Sequence, residues 1–320
     1  MRSQPRLLGI GLALLLAPAP CAATDPVAEA SPPDLASLLA RLPSGPTEPA
    51  VAEKFETDVF RLIESGALQT AGDFRHAASL CTWGQDNFRV ARSRYELLLA
   101  AVALEPNHPD PALREAWDNF QLALAQPARF PATGYLAQNS DSVPKLLAPE
   151  VIQRVWGDPS AARSATSDGD NPELKKLFDE DQAVRQTDWS RLSQAERQSI
   201  HTADLKRNAR TREIVAGGGL STGQDFVHAA LLCQHSPDFA GYRLAHELAV
   251  AGLLLRAPQA RWLAAATYDR MLNATGHSQR FGTQYGSTLK LLRLDESAFS
   301  DRQRLALGCP VLEVARNRKW

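Results

Sequence analysis

The sequence has no excess of charge of either sign and, after its first 23 residues, no long apolar run. Its 35 Lys and Arg residues nearly balance 36 Asp and Glu residues, for a formal net charge of -1. Such a balance provides no basic field for nucleic acid or anionic lipid, so we expect no nucleic-acid partner. No later stretch reaches the roughly 18 consecutive apolar residues of a membrane span, so we expect no transmembrane helix after the leader.

The motifs of several enzyme classes are also missing. The sequence contains no His-Glu-x-x-His, no Cys-x-x-Cys, no Gly-x-Ser-x-Gly and no phosphate-binding loop. His228 and His235 are seven residues apart, about 10 Å along a helix, which is too far for both to bind one ion directly. We therefore expect neither a metal site nor another cofactor.

The first 23 residues have the pattern of a secretory signal peptide. Arg2 and Arg6 precede the apolar run Leu7–Leu16, and small residues and prolines follow as far as Ala23. We expect cleavage after Ala23 and export to the periplasm or the medium, with a lipid anchor on Cys21 as the alternative.

Three cysteines remain after the leader, which is an odd number for a protein in an oxidising compartment. At least one of Cys81, Cys233 and Cys309 must stay free or pair between chains. Because Cys81 and Cys233 lie in apolar helical runs, the pattern favours buried thiols. A disulfide remains open, and the sequence assigns no pairing.

The chain contains an internal repeat. Residues 73–81 match residues 225–233 at all but two positions. After a shift of one residue, the register continues through pairs of identical residues, namely Glu96 with Glu247, Asp118 with Asp269, and Arg129-Phe130 with Arg280-Phe281. A period of about 150 residues indicates a domain duplication. We expect a degenerate first copy over residues 24–158, a small polar linker over 159–170 and a second copy over 171–320.

Both copies have the apolar spacing of helices, with residues recurring at three to four positions. Asn171-Pro172-Glu173 has the pattern of a helix start, and Ser193 with Glu196 forms a capping box before a helix that runs towards Ala216. Alternating strand patterns are scarce. The sequence therefore predicts an all-α fold of two tandem helical copies joined by a flexible linker.

The two copies differ in polar residues that could form a site. Some polar residues, such as His76 and His228, recur in both copies. Their recurrence favours buried side chains that stabilise the fold through hydrogen bonds. A further polar set is complete only in the second copy, where glycine permits close backbone approach and the side chains offer hydroxyl, amide and charged groups. The residues that we expect to line a pocket for a polar or anionic ligand are Gln234, His235, Asp269, Arg270, Arg280, Gly282, Thr283 and Gln284. The alternative is a turn that ties the C-terminal segment to the helical bundle.

The second copy contains several short motifs whose order and spacing can be compared with those of known families. They are Glu180-Asp181-Gln182-Ala183-Val184-Arg185, His201-Thr202-Ala203-Asp204-Leu205-Lys206, Gln234-His235, Tyr268-Asp269-Arg270 and Gln279-Arg280-Phe281-Gly282-Thr283-Gln284. With them, residues 171–313 resemble a bacterial family of domains of unknown function. The resemblance implies a helical domain with no established activity.

Two classes of function fit these features. The first is an exported binding or interaction module, with a small polar ligand or an envelope protein as partner. The alternative is a hydrolase or group-transfer enzyme in which His235 is the general base, Asp269 orients it, and Arg280 with Gln284 holds an anionic group. That alternative requires the four side chains to converge on one concave surface. A structural envelope protein and an immunity-type partner of a secreted toxin are further possibilities.

Overall fold

The all-α prediction is confirmed for the part of the chain that the structure describes. The computed structural model describes residues 33–42, 48–81, 87–106, 110–126, 148–164, 169–189, 191–286 and 288–318. These residues form fourteen helices and no strand, with two isolated β-bridges near the C-terminus. The predicted leader over residues 1–23, including Cys21, lies outside the described residues, as do Arg129 and Phe130.

Of the helices that the structure describes, seven belong to the first half of the chain and seven to the second. The first seven are α1 (Leu35–Ala40), α2 (Pro49–Glu64), α3 (Ala71–Leu80), α4 (Asn87–Leu104), α5 (Pro111–Ala123), α6 (Glu150–Gly157) and α7 (Pro159–Ser164). The others are α8 (Pro172–Arg185), α9 (Gln194–Ala216), α10 (Gly223–Cys233), α11 (Phe239–Leu254), α12 (Ala260–Ala274), α13 (Asp301–Ala306) and α14 (Leu312–Arg316). Helix α7 occupies the first six residues of the range in which we expected a linker.

Local capping determines where several helices begin. Helices α3 and α10 both start with a capping box, formed by Thr70 with Asp73 and by Thr222 with Asp225. The box that the sequence predicts at Ser193 is present at the start of α9. Each box satisfies backbone N–H groups that have no partner within the helix.

The two halves pack in the same order and share one core. Helix α3 packs on α4 and α4 on α5, while α10 packs on α11 and α11 on α12. Between the halves α4 contacts α11, α6 contacts α11, and α13 contacts α4. The buried apolar residues of both halves form one continuous cluster. Side chains of both halves therefore pack against one another in a single core.

The three cysteines that the structure describes are buried and free, which confirms the interpretation of Cys81 and Cys233 as buried thiols. Burial raises the pKa of Cys81 and of Cys233 to about 12, so both thiols stay protonated at neutral pH. Among the described helices, none combines the length and the apolar character needed to cross a membrane.

Candidate functional site

A cluster of charged and polar side chains forms where five elements of the second half meet. Helix α8 contributes one carboxylate and one guanidinium at i and i+4, α9 contributes another such pair at i and i+3, and the end of α10, helix α12 and the following loop complete it. We call this set the polar cluster, and its members are Asp181, Arg185, Asp204, Arg207, Gln234, His235, Arg270 and Gln284. It brings together four of the eight residues predicted to line a pocket.

Arg185 joins the two helices that carry the carboxylates. Its Nη2 atom lies 2.8 Å from Oδ1 of Asp181 and 2.9 Å from Oδ1 of Asp204. Burial opposes ionisation of Asp181, but the hydrogen bonds and charges of His235 and Arg185 outweigh it and lower the pKa of Asp181 to about 2. The carboxylate is therefore ionised at neutral pH, and it holds both Arg185 and His235.

His235 is held by Asp181 on one side of its ring. Its Nδ1 atom lies 3.2 Å from Oδ1 of Asp181 and 3.1 Å from Nη2 of Arg185. Because both hydrogens of Arg185 Nη2 have carboxylate acceptors, we assign the ring proton to Nδ1, which donates to Asp181. Burial lowers the pKa of His235, so the ring is neutral at pH 7 and its Nε2 atom keeps a lone pair. Nε2 has no hydrogen-bond partner among the residues that the structure describes.

Arg270 is the one arginine of the polar cluster without a carboxylate. Its Nη1 atom donates to the Gln234 carbonyl oxygen at 2.9 Å, and its Nε atom donates to Oε1 of Gln284 at 3.3 Å. Within the described ranges no carboxylate lies within ion-pair distance of it. Burial lowers the pKa of Arg270, and the charge of Arg185 adds to this effect. A partly buried guanidinium without a counter-charge favours an anion in its neighbourhood.

Asp269 does not take the place beside His235 that we expected. Its Oδ1 atom accepts from the backbone N–H groups of Arg280 and Phe281 at 2.7 and 3.0 Å. Its Oδ2 atom accepts from the backbone N–H and the hydroxyl of Thr283 at 3.0 and 2.8 Å. Burial raises the pKa of Asp269, although these donors oppose that rise. The carboxylate that contacts His235 is Asp181, because Asp269 is occupied in shaping the loop.

Arg280 also differs from its expected role of holding an anionic ligand. Its Nε and Nη2 atoms bind both carboxylate oxygens of Glu96 at 2.9 and 3.0 Å, and neither side chain is exposed. Its Nη1 atom donates to the Asp295 carbonyl oxygen at 2.6 Å, and Nη2 also donates to that of Ser297 at 2.8 Å. All three guanidinium nitrogens are thus occupied by the protein itself.

The loop after α12 therefore corresponds in large part to the alternative of a tie between the C-terminal segment and the bundle. Gly282 has φ +77° and permits the turn. Asp269, Arg280 and Thr283 stabilise that turn through the hydrogen bonds above. Gln284 belongs both to this tie and to the polar cluster. Its Nε2 atom donates to the Ala266 carbonyl oxygen at 3.0 Å, while its Oε1 atom faces Arg270.

Contacts between the halves of the chain are reciprocal. Trp117 Nε1 donates to Oε1 of Glu247 at 3.3 Å, and the Tyr268 hydroxyl donates to Oε1 of Glu96 at 3.1 Å. The two donors, Trp117 and Tyr268, are 151 positions apart in the sequence. The two acceptors, Glu96 and Glu247, are also 151 positions apart. Both contacts lie in the core where α4 meets α11.

Sequence reasoning missed Asp181, Arg185, Asp204 and Arg207 as site residues. The first three lie in the short motifs that carry the family resemblance, and the i, i+4 spacing of Asp181 and Arg185 was the available signal. In the described part of the chain no group of three or more His, Cys, Asp or Glu side chains is arranged to hold a metal ion.

Comparison with known proteins adds no relative. No protein-family model, no curated protein and no solved structure matches the chain.

Proposed function

We propose that the chain is an exported binding module whose polar cluster takes a small polar ligand with an anionic group. The observation that carries this proposal is Arg270, a partly buried cation without a carboxylate partner among the described residues. A ligand carboxylate or phosphate would supply the missing counter-charge. Charge-assisted hydrogen bonds of this kind are about twice as strong as neutral ones.

His235 gives the proposed ligand a second requirement. Its unprotonated Nε2 atom accepts a hydrogen bond, so it suits a ligand hydroxyl or amine close to the anionic group. Asp181 fixes the ring through Nδ1 and so fixes the direction of this acceptor. Hydroxy acids, amino acids and sugar phosphates combine both groups, and they form the class that we propose.

A thermal-shift screen tests this proposal. The chain from Thr24 onward is scanned with hydroxy acids, amino acids, sugar phosphates and cell-wall fragments, because a ligand that binds the native state raises the unfolding midpoint. His235→Ala and Gln284→Ala are expected to lose the response, while the exposed Arg302→Ala keeps it. A screen without any response, or a response that both site variants retain, would contradict the proposal.

A second candidate function is hydrolysis at the same cluster. It is favoured by the Asp181–His235 pair, in which the carboxylate orients the ring and leaves Nε2 as a general base for water. Asp181 takes the role that the sequence assigned to Asp269. Turnover of chromogenic phosphate and carboxylic esters, abolished by His235→Gln and reduced by Asp181→Asn, would support it. Ligand binding without turnover of any ester would favour the binding module.

The proposed export depends on the leader pattern alone. Fractionation of cells that express the chain, followed by determination of the N-terminus, tests it. A periplasmic or secreted product that begins at Thr24 supports cleavage after Ala23. A product that begins with a lipid-modified Cys21 would replace this assignment with an anchor, and an uncleaved cytosolic product would contradict export.

We also propose that the two halves arose by duplication and that the second belongs to the uncharacterised bacterial family that it resembles. The repeated packing order of the helices, the paired capping boxes and the reciprocal bonds of Trp117 and Tyr268 support the duplication. The family assignment is supported by the convergence of its separate short motifs on the polar cluster.

A further inference from the structure

A shallow cleft lies between the two halves, on residues that the polar cluster does not use. It has a volume of about 370 Å³ and opens between the start of α4 and two segments of the second half, residues 276–278 and 293–296. The lining residues that matter here are Phe88, Arg92, His277, Ser278, Arg293 and Asp295. We call it the seam cleft. Its volume is in the range of small-molecule sites.

Arg92 is the buried cation of the seam cleft. Its side chain is 5% exposed, and its Nη1 atom donates to Oδ2 of Asp295 at 2.7 Å. Its Nε atom lies 3.8 Å from Oε1 of Glu96, is fully buried and has no hydrogen-bond partner among the described residues. Within the same ranges nothing accepts a hydrogen bond from Nη2 either. Because a ligand cannot reach the buried Nε atom, Nη2 is the guanidinium nitrogen that is still available.

The acidic side chains of the cleft are already paired. Asp295 accepts from Arg92, from the backbone and hydroxyl of Ser297, and lies 3.3 Å from Nη1 of Arg280. Although burial opposes ionisation, these partners hold the pKa of Asp295 well below its usual range. Glu296 is paired with Arg316. The carboxylates therefore do not compete strongly for a further cation.

The hydrogen-bond donors that line the seam cleft have fewer partners within the described residues than its carboxylates have. Arg293 is exposed and forms no ion pair with any residue that the structure describes, and the hydroxyl of Ser278 likewise has no partner there. The His277 ring stacks on Phe88 with 4.4 Å between centroids and 18° between planes. Burial and the charge of Arg92 lower the pKa of His277, so this ring is neutral at pH 7. The cleft thus presents two guanidinium groups and neutral donors beside an aromatic wall.

We propose that the seam cleft binds an oxyanion, a phosphate or a carboxylate, carried by a small molecule. The anion lies between Arg92 and Arg293, where Ser278 donates a further hydrogen bond. A guanidinium matches the geometry of both oxyanions. The site depends on both halves, since α4 supplies Arg92 and the second half supplies Arg293.

Calorimetric titration of the full chain tests this proposal, with inorganic phosphate in one series and acetate in another at equal ionic strength. Arg293→Ala and Ser278→Ala are the test variants, because both side chains lie at the cleft without protein partners in the described ranges. Arg302→Ala is the matched control for an exposed arginine, and His235→Ala reports on the polar cluster. We expect saturable binding that Arg293→Ala weakens about tenfold or more and that Arg302→Ala retains.

Two results would overturn the proposal. The first is the absence of saturable binding of either anion up to about 10 mM. The second is binding that Arg293→Ala and Ser278→Ala leave unchanged. Binding that is lost in His235→Ala alone would place the anion in the polar cluster, which would support the proposed function and reject the seam cleft. The two series distinguish phosphate from carboxylate as the preferred group.

Discussion

The Tyr95 hydroxyl lies 2.6 Å from Nε2 of His246, and neither side chain is exposed. These two residues stand 151 positions apart, one in α4 and the other in α11, so their hydrogen bond joins the halves. His246 Nδ1 lies 3.0 Å from the Ala264 carbonyl oxygen and donates to it, so Nε2 accepts from Tyr95. Burial lowers the pKa of His246 to about 3, and the ring is neutral in the folded chain.

The neutral His246 makes stability depend on pH. In the unfolded chain its pKa returns to about 6.5, so below that pH the unfolded state binds a proton that the folded state excludes until the pH nears 3. Over this window each unit of falling pH lowers the free energy of unfolding by up to about 1.4 kcal/mol for this one group. Urea denaturation between pH 7 and pH 4.5 gives the free energy of unfolding as a function of pH. The slope of this dependence should be smaller in His246→Gln than in wild type, by the contribution of up to one proton. An equal slope in wild type and variant would contradict the assignment.

Glu96→Gln should be strongly destabilising. The substitution removes the carboxylate that binds Nε and Nη2 of the fully buried Arg280, and breaking a buried ion pair in this way costs about 3–5 kcal/mol. Lys175→Ala is the control, because the Lys175–Asp179 pair is exposed on both sides and contributes about 1 kcal/mol or less. Denaturant unfolding of both variants checks the difference. If Glu96→Gln and Lys175→Ala lose similarly small amounts of free energy of unfolding, Arg280 does not depend on Glu96 for its charge compensation.

Gln121→Leu should stabilise the chain. Neither polar atom of the Gln121 amide has a hydrogen-bond partner among the residues that the structure describes, and the side chain is fully buried. The residue 151 positions later is Leu272, an apolar residue that is also fully buried. Removing an unsatisfied buried amide is expected to add about 1 kcal/mol to the free energy of unfolding.

Gln279→Leu is the matched control for that gain. Gln279 is equally buried, but its amide donates to the carbonyl oxygens of Gln284 and Leu292 and accepts from the backbone N–H of Gln284. This variant should therefore lose stability. If Gln121→Leu also lowers the unfolding midpoint, Gln121 has a role in the fold that its surroundings do not reveal.

Asp269→Asn should loosen the loop after α12. The amide nitrogen of the variant would face N–H donors that the carboxylate now accepts, so the loss is expected to be about 2–3 kcal/mol. Amide hydrogen exchange at Arg280, Phe281 and Thr283 is the measurement, and it should accelerate in the variant. Unchanged protection of these three amides would mean that Asp269 does not stabilise the turn.

The helical class and several helix starts could be predicted because capping is local. Ser193 and Glu196 are three residues apart, and their capping box needs no information from the rest of the chain. Gln234, His235, Arg270 and Gln284 could likewise be grouped, because they distinguish the second half from the first.

The partners of the predicted site residues could not be found in this way. His235 meets Asp181 across 54 positions, and Arg280 meets Glu96 across 184. Spacing in the sequence does not report such contacts, since only the packing of whole helices brings the groups together. The assignment of Asp269 to His235 shows the limit, because Asp269 is nearer in sequence yet serves the loop.

The most direct test of the binding proposal compares two arginines that are ten residues apart, the partly buried Arg270 and the buried Arg280. Denaturant unfolding of Arg270→Gln and Arg280→Gln without ligand is the measurement. Because Arg270 has no counter-charge within the described residues, its variant should stay within about 1 kcal/mol of wild type, whereas Arg280→Gln leaves Glu96 buried and should lose about 3–5 kcal/mol. A comparable large loss for Arg270→Gln would show that this cation serves the fold, and it would contradict a site reserved for an anionic ligand.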